Sequence, residues 1–354
     1  MRERLKQLDI HSWKRVKDMK DNDDDEIHCP EVIVDGMGAE DISQGNIGDC
    51  WFLSALSVVA FNRPDLIEKL LHSESKKYRD DGLYIVKFYK MGYHKIVYVD
   101  DRFPVDNRRR SVFCQLKNDG GITEFWPILL EKAYAKLHGC YDALDMGRPE
   151  QGLVDLTGGV AETIDFESDD FKKMINNGSF WEKIVYCVRN KCLLAASSNG
   201  HDDTEDNEFG IVQGHAYGVL DIQEIDGVRL IQLRNPWGKK EWTGAWSDFD
   251  EENWTENRRR RIANKQLAKG RKTFQIGVDD GAFWMTISDF IANYANLSIV
   301  RVYERPEWFT SRVSGKWKGQ SAGGRSQCHE TYLNNPQFKL IVEKATMAVI
   351  YMQQ

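Results

Sequence analysis

From Trp51 to Ala60 nearly every residue is apolar or small, whereas the stretch just before, Gln44-Gly-Asn-Ile-Gly-Asp49, is polar and turn-forming. A helix that is apolar on every side is a buried helix, so this pattern predicts one beginning near Cys50. Pro64 to Leu71 reads as a second, short helix. Leu83 to Tyr89 and Lys95 to Asp101 read as a β-hairpin across Met91-Gly92. In Phe125 to His138, Leu129, Leu130, Ala133 and Leu137 line one helical face; Pro127 fits the first turn and Gly139 stops the helix. One or two further helices are expected up to about Asn190. The texture then changes to short apolar or alternating runs: Leu193 to Ser197, His215 to Ile222, Arg229 to Arg234, Trp284 to Thr286 and Leu297 to Tyr303. With Gly, Asn and Asp loops between them, they predict an antiparallel sheet with helices, an α+β arrangement.

A chain of 354 residues exceeds what one compact core usually organises. The expected divisions are a polar segment at 1–30, a helical lobe at 31–146 carrying Cys50, and a β-rich lobe at 147–303. Residues 304–354 are expected to start a partial β-domain, with strands near Trp317, Phe338 to Val342 and Ala345 to Met352.

A net charge of −7 argues against a general nucleic-acid binder. The eight basic residues between Arg258 and Lys272 read as a charged surface insertion rather than a nuclear-targeting or anion-binding patch. The acidic run Asp21 to Glu26 does not meet the EF-hand pattern, because Glu26 stands where that loop needs Gly and Val32 where it needs Glu. The acidic loop His201 to Glu208 reads as solvated. Seven cysteines, an odd number with no C-x-x-C, suit free thiols in a reducing compartment. The first residues lack the apolar centre of a signal peptide, and the longest apolar run is too short to span a bilayer. The expected location is the cytoplasm, with no integral membrane segment.

Cys50 falls at the start of the buried helix, where free N–H groups and the helix dipole favour a thiolate. On its own, such a cysteine is most often a small core residue. A nucleophilic thiol needs a base and a group that orients the base. His215, in Gly-His-Ala-Tyr, opens a predicted strand, and Asn235, in Arg-Asn-Pro-Trp-Gly, follows the next. The two can lie side by side on one sheet edge. The order Cys, His, Asn is that of papain-like proteases. In that chemistry His215 deprotonates Cys50 and later protonates the leaving amine, while the Asn235 side-chain oxygen fixes the imidazole tautomer. Gln44 can donate its amide to the oxyanion, together with the Cys50 N–H. Trp237 is a candidate shield for the triad, with interlobe packing as the competing role.

The segments QGNIGDCWFLSAL, EFWPILLEKAYAKLHGCYDAL, DLTGGV, GHAYGV, LRNPWG, EWTGAWSD and DDGAFWM together resemble the catalytic core of a calpain, in matching order from about Val32 to Tyr303. The stretch from Gly315, with Asn335-Pro-Gln-Phe338, is similar to the opening of the calpain β-sandwich domain. The resemblance implies a papain-like two-lobe cysteine endopeptidase making limited cuts in protein substrates through a thioester acyl-enzyme. It also implies regulation by calcium, with a proteinaceous inhibitor as a candidate partner. No EF-hand dimerisation domain is recognisable in the chain.

By motif position, the resemblance implies two calcium sites. The first falls on the Val34 and Gly36 carbonyls with Asp41 and Glu124. The second falls on Glu241, Asp248, Asp280 and the Val278 carbonyl. Ala282 stands where calpains usually carry an acidic ligand, so the second site is expected to be weaker. Calcium would align lobes that otherwise hold Cys50 away from His215. Three rivals remain: a catalytically silent calpain-like scaffold, a transglutaminase-like acyl transferase, and nucleic-acid binding through the basic stretch.

Overall fold

The computed structural model describes residues 8–21, 25–200, 203, 205–268, 274–304 and 306–352. The centre of the acidic run (22–24), most of 201–204 and the end of the basic stretch (269–273) therefore lie outside the described residues. Residues 1–302 form one compact unit and residues 303–354 another.

In the first unit β1 (Ser12–Arg15) and β2 (Cys29–Glu31) precede the helices α1 (Cys50–Asn62) and α2 (Pro64–Glu68). A hairpin of β3 (Leu83–Lys90) and β4 (Tyr93–Asp100) follows, and its two turn residues Met91 and Gly92 both have positive φ, as a tight hairpin turn requires. Next come β5 (Arg102–Val105), β6 (Lys117–Asp119), β7 (Ile122–Glu124) and α3 (Trp126–His138). The segments at 8–30 are not simply a polar arm. β1 pairs with β5, β2 runs parallel to β7, and Val16, Met19 and Ile27 are buried. Their few apolar residues found partners far along the chain, which a local pattern does not reveal.

The chain continues through α4 (Pro149–Thr157), β8 (Val160–Asp165), α5 (Asp169–Asn176) and α6 (Ser179–Arg189). Then come β9 (Leu193–Ser198), β10 (Ala216–Ile225), β11 (Val228–Arg234), α7 (Glu256–Ala268), β12 (Ala282–Thr286), α8 (Ile287–Asn293) and β13 (Tyr294–Arg301). Six of these strands make one antiparallel sheet in the order β12-β11-β10-β9-β13-β8. The fold is thus mixed α+β. The described part of the basic stretch is helix α7, whose Arg258 and Arg261 pair with Asp226.

Helix α1 is buried from Trp51 to Phe61. It is sandwiched between α4 and strands β9 and β10. Two glycines permit this close packing. A Cβ on Gly218 of β10 would come within 2.9 Å of Val58, and one on Gly152 of α4 within 3.0 Å of Ala55. The apolar interior falls into two main clusters. One surrounds α1 and α3; the other fills the space between the six-stranded sheet and helices α5, α6 and α8.

In the second unit the described residues contain two short 3-10 turns, Gly319–Ser321 and Tyr332–Asn334, and no strand. The strands expected near Trp317, Phe338 to Val342 and Ala345 to Met352 are not seen among the described residues. Phe338, Leu340 and Ile341 are exposed, and a strand persists only where its backbone is paired and its apolar face covered.

Candidate active site and candidate metal loops

Cys50 is the first residue of α1, set there by the turn Gly45 to Asp49. His215 lies just before β10, and its backbone N–H donates to the Ser198 hydroxyl at the end of β9 (2.9 Å). Asn235 directly follows β11. Because Gly218 pairs with Arg234 across β10 and β11, the two strand ends bring His215 and Asn235 together. His215 Nε2 lies 2.9 Å from Asn235 Oδ1, and both residues are buried. Asn235 Oδ1 also accepts from the Trp237 N–H (3.0 Å), while its amide nitrogen donates to the Lys240 carbonyl (3.1 Å). With the Asn235 oxygen fixed as acceptor, Nε2 carries the imidazole proton and Nδ1 is the basic nitrogen.

That basic nitrogen is buried and has no hydrogen-bond partner among the described residues. The Trp237 ring packs against the imidazole, with centroids 4.7 Å apart. Gln44 donates its side-chain amide to the Ile47 carbonyl (2.7 Å), and its backbone N–H bonds the Pro236 carbonyl (2.8 Å). The oxyanion candidate is thereby tied both to the turn before Cys50 and to the segment after Asn235. Arg234, fully buried, strengthens this tie by donating to the Ile42 carbonyl (2.7 Å) and to the Ser57 hydroxyl (3.2 Å).

The thiol departs from the sequence expectation. Burial pushes Cys50 up to about 12, with Ala216's backbone N–H only partly offsetting it and the Asp49 charge adding to the rise. Burial also lowers His215 to about 4, against the opposing hydrogen bond from Asn235. The helix N-terminus does not make a thiolate here. Desolvation outweighs the dipole, and no hydrogen bond joins Cys50 to His215. In this arrangement burial disfavours both the thiolate of Cys50 and the imidazolium of His215.

The first candidate metal loop is built on the small sheet of β2, β7 and β6. Glu124 ends β7 and accepts the Val34 N–H (2.8 Å). Asp41 Oδ2 accepts from the Gly38 N–H (2.7 Å) and from Trp126 Nε1 (3.3 Å), while Asp41 Oδ1 meets the Lys117 ammonium at 2.6 Å. Burial first, and the Asp41 charge second, push Glu124 up to about 8. Gly36, one of the carbonyl candidates, has a φ of +104°.

In the second loop Glu241 Oε1 accepts from the N–H groups of Asp280 (2.9 Å) and Gly281 (2.7 Å). Asp248 Oδ2 accepts from Gly277 (2.8 Å), and Asp280 Oδ1 from Ala282 (3.0 Å). The Val278 carbonyl accepts the Asp280 N–H (3.0 Å). The other oxygens, Glu241 Oε2 and Asp248 Oδ1, are buried without hydrogen-bond partners among the described residues. Burial pushes Glu241 up to about 8, Asp248 to about 7 and Asp280 to about 6. Buried acids of this kind with orphaned oxygens suit a hard cation. As placed, however, no three His, Cys, Asp or Glu side chains among the described residues converge closely enough to hold a metal ion.

Several contributors were not singled out from sequence. Lys117 is set opposite Glu124, across β6 and β7, by the Gly120-Gly121 turn, a hairpin signal. Arg259 on α7 donates to the Ile276 carbonyl (2.6 Å), fastening the chain that leads into Val278 and Asp280. Asp49, fully buried beside Cys50, is pushed up to about 7 by burial.

Comparison with known proteins agrees with this architecture. The profile of the calpain family cysteine proteases matches residues 2–301, and that of the calpain large subunit, domain III, matches residues 313–354. The chain is 36% identical over 340 residues to the calpain-type cysteine protease DEK1 of Zea mays, covering 96% of this chain and 15% of that protein. It is 33% identical over 367 residues to calpain-5 of Mus musculus, covering 94% of this chain and 54% of that one. For calpain-8 of the same species the identity is 34% over 348 residues, covering 94% and 45%. The chain thus spans roughly a seventh to a half of the length of these relatives. On the family match across its first 300 residues, the chain belongs to the calpain family of cysteine proteases.

Proposed function

We propose that the chain is a calcium-dependent cysteine endopeptidase that makes limited cuts in protein substrates with Cys50, His215 and Asn235. The observation that carries this reading is the His215–Asn235 pair at 2.9 Å with a buried, unpartnered Nδ1 beside the helix that begins at Cys50. Nδ1 accepts the Cys50 proton as sulfur attacks the scissile carbonyl, forming the C–S bond. The Cys50 N–H and the Gln44 amide steady the oxyanion. Collapse of the tetrahedral intermediate breaks the C–N bond, and the imidazolium protonates the leaving amine. Water then cleaves the thioester, with His215 as base. Trp237 covers the imidazole and excludes water from the His215–Asn235 bond.

The catalytic segments belong to a papain-like pair of lobes, one around α1 and α3 and one around the six-stranded sheet, consistent with the two apolar clusters. Val34, Gly36, Asp41 and Glu124 would hold one calcium ion, and Glu241, Asp248, Val278 and Asp280 a second. Bound calcium would supply charge neutralisation to buried carboxylates that are otherwise raised in pKa. The orphaned Glu241 and Asp248 oxygens support the second site despite Ala282. The odd number of cysteines supports a cytoplasmic setting.

The test is cleavage of fluorogenic casein by the wild type and Cys50→Ala across free calcium from nanomolar to millimolar. A rising, Cys50-dependent curve is expected. Cleavage that ignores calcium would remove the switch and keep the protease. No cleavage at any calcium level would bring forward the silent scaffold.

A further inference from the structure

The antiparallel pairing of β6 and β7 sets Lys117 directly opposite Glu124. Lys117 reaches past its cross-strand neighbour, and its Nζ lies 2.6 Å from Asp41 Oδ1. The Asp41 side chain is fully buried, whereas the Lys117 side chain keeps 30% of its exposure. The ammonium is paired directly with buried Asp41, and its charge also acts on buried Glu124, the residue opposite it across the strands. The other Asp41 oxygen is occupied by the Gly38 N–H and the Trp126 indole. A calcium ion takes carboxylate oxygens at about 2.3–2.6 Å, so it cannot use Asp41 Oδ1 while the ammonium is seated there.

The lysine is suited to leave. Its four-carbon stem is flexible, its head is strongly hydrated in water, and its side chain already reaches the surface. An arginine, paired through a rigid fork, would be harder to displace.

We propose that Lys117 is a tethered cation that holds the Asp41–Glu124 carboxylate pair together in the calcium-free chain, and that calcium binds this loop by displacing its ammonium group. This rests on the reading of the loop as a calcium site. It makes the calcium threshold of the first loop a competition between an intramolecular cation and a dissolved one. Removing the lysine then has opposite effects in the two states: the calcium-free chain loses the counter-charge for two buried acids, while the calcium-bound chain loses only a competitor.

The experiment is calorimetric titration of the full chain with calcium chloride, with thermal melting in EDTA and in calcium, for the wild type, Lys117→Met, Lys117→Arg and Asp41→Asn. We expect Asp41→Asn to weaken or lose one binding step, which assigns that step to the loop. We expect Lys117→Met to tighten the same step by on the order of tenfold, as contacting groups commonly couple. It should melt below the wild type in EDTA and gain more from calcium. Lys117→Arg should bind no better than the wild type. If Lys117→Met does not fold in EDTA, Lys117→Gln carries the same comparison. Wild-type affinity and wild-type calcium stabilisation in Lys117→Met, with the step still lost in Asp41→Asn, overturns the proposal and leaves the site. An Asp41→Asn titration identical to wild type overturns the site and the proposal with it.

Discussion

The backbone N–H of Asn235 donates to the carbonyl of Gly281 at 2.8 Å, and the N–H of Gly281 donates to Glu241 at 2.7 Å. One peptide segment thus connects the residue that orients the imidazole to a carboxylate of the second candidate metal loop. Gly281 has a φ of +85°, and a Cβ there would come within 2.7 Å of the Asn235 carbonyl and 2.8 Å of the Gly238 Cα. Both the conformation and the contact call for glycine.

Gly281→Ala should therefore damage catalysis without touching any group that meets substrate. A shift of about 1 Å at a catalytic group can cost on the order of 100-fold in rate, and we expect a kcat loss of that order at saturating calcium. Steady-state cleavage of a fluorogenic peptide measures it. A variant with wild-type kcat would show that the Asn235–Gly281 bond does not set the triad geometry.

Much of this site was legible because its signals are local. The apolar run from Trp51 to Ala60 marks α1, and His215 and Asn235 fall at the ends of strands whose patterns are clear. The remainder depends on partners distant in sequence. Lys117 meets Asp41 across 76 positions, and Arg234 reaches Ile42 across 192. Periodicity cannot display such pairs. The Cys50 thiol differs for a related reason. A helix N-terminus is visible in sequence, but the desolvation that opposes it is a property of the packed chain. Strand β8 escaped because its residues are mostly exposed or half-buried at a sheet edge, which leaves a weak apolar pattern.

The second prediction concerns the thiol. With Cys50 pushed up to about 12, iodoacetamide should label it no faster than the exposed Cys29, Cys140 and Cys328 in EDTA at pH 7. On adding calcium, Cys50 should become the fastest of the seven if the proposed activation forms a thiolate–imidazolium pair. Peptide mapping of the labelled chain gives the site-resolved rates. Fast Cys50 labelling in EDTA would show that the resting thiol is already activated. Cys50→Ala should abolish cleavage and leave the melting temperature close to wild type.

The third concerns pH. His215 is depressed to about 4 in the folded chain, against about 6.5 when unfolded. Between these values the unfolded state binds the extra proton. The neutral, buried imidazole therefore contributes stability that is present above about pH 6.5 and is lost as pH falls toward 4. The size is on the order of 3 kcal/mol. His215→Gln should melt with a shallower loss between pH 6.5 and 4 than the wild type in EDTA. Parallel curves for the two proteins would contradict the depressed imidazole.

The fourth prediction tests what Ala282 does. Restoring an acidic residue at this position looks, from the family pattern, like a way to strengthen the second metal loop. The surroundings argue otherwise. Ala282 is buried in an apolar cluster with Ala39, Phe61 and Leu220, against which Phe274 packs. Asp280, which accepts the Ala282 N–H, and Glu241, which accepts the Gly281 N–H, are already carboxylates raised by burial. A glutamate there must either ionise in an apolar cluster beside these acids or stay protonated with a polar head in apolar surroundings. Burying such a group without partners costs roughly 1–3 kcal/mol by mutational measures. Ala282→Glu should accordingly melt several degrees below the wild type in EDTA, and millimolar calcium should recover part of the loss by neutralising the added charge. Differential scanning calorimetry in both conditions checks this. An unchanged melting temperature in EDTA would mean that the cluster opens to water at Ala282, and that the second loop can accept a further ligand without cost to the fold.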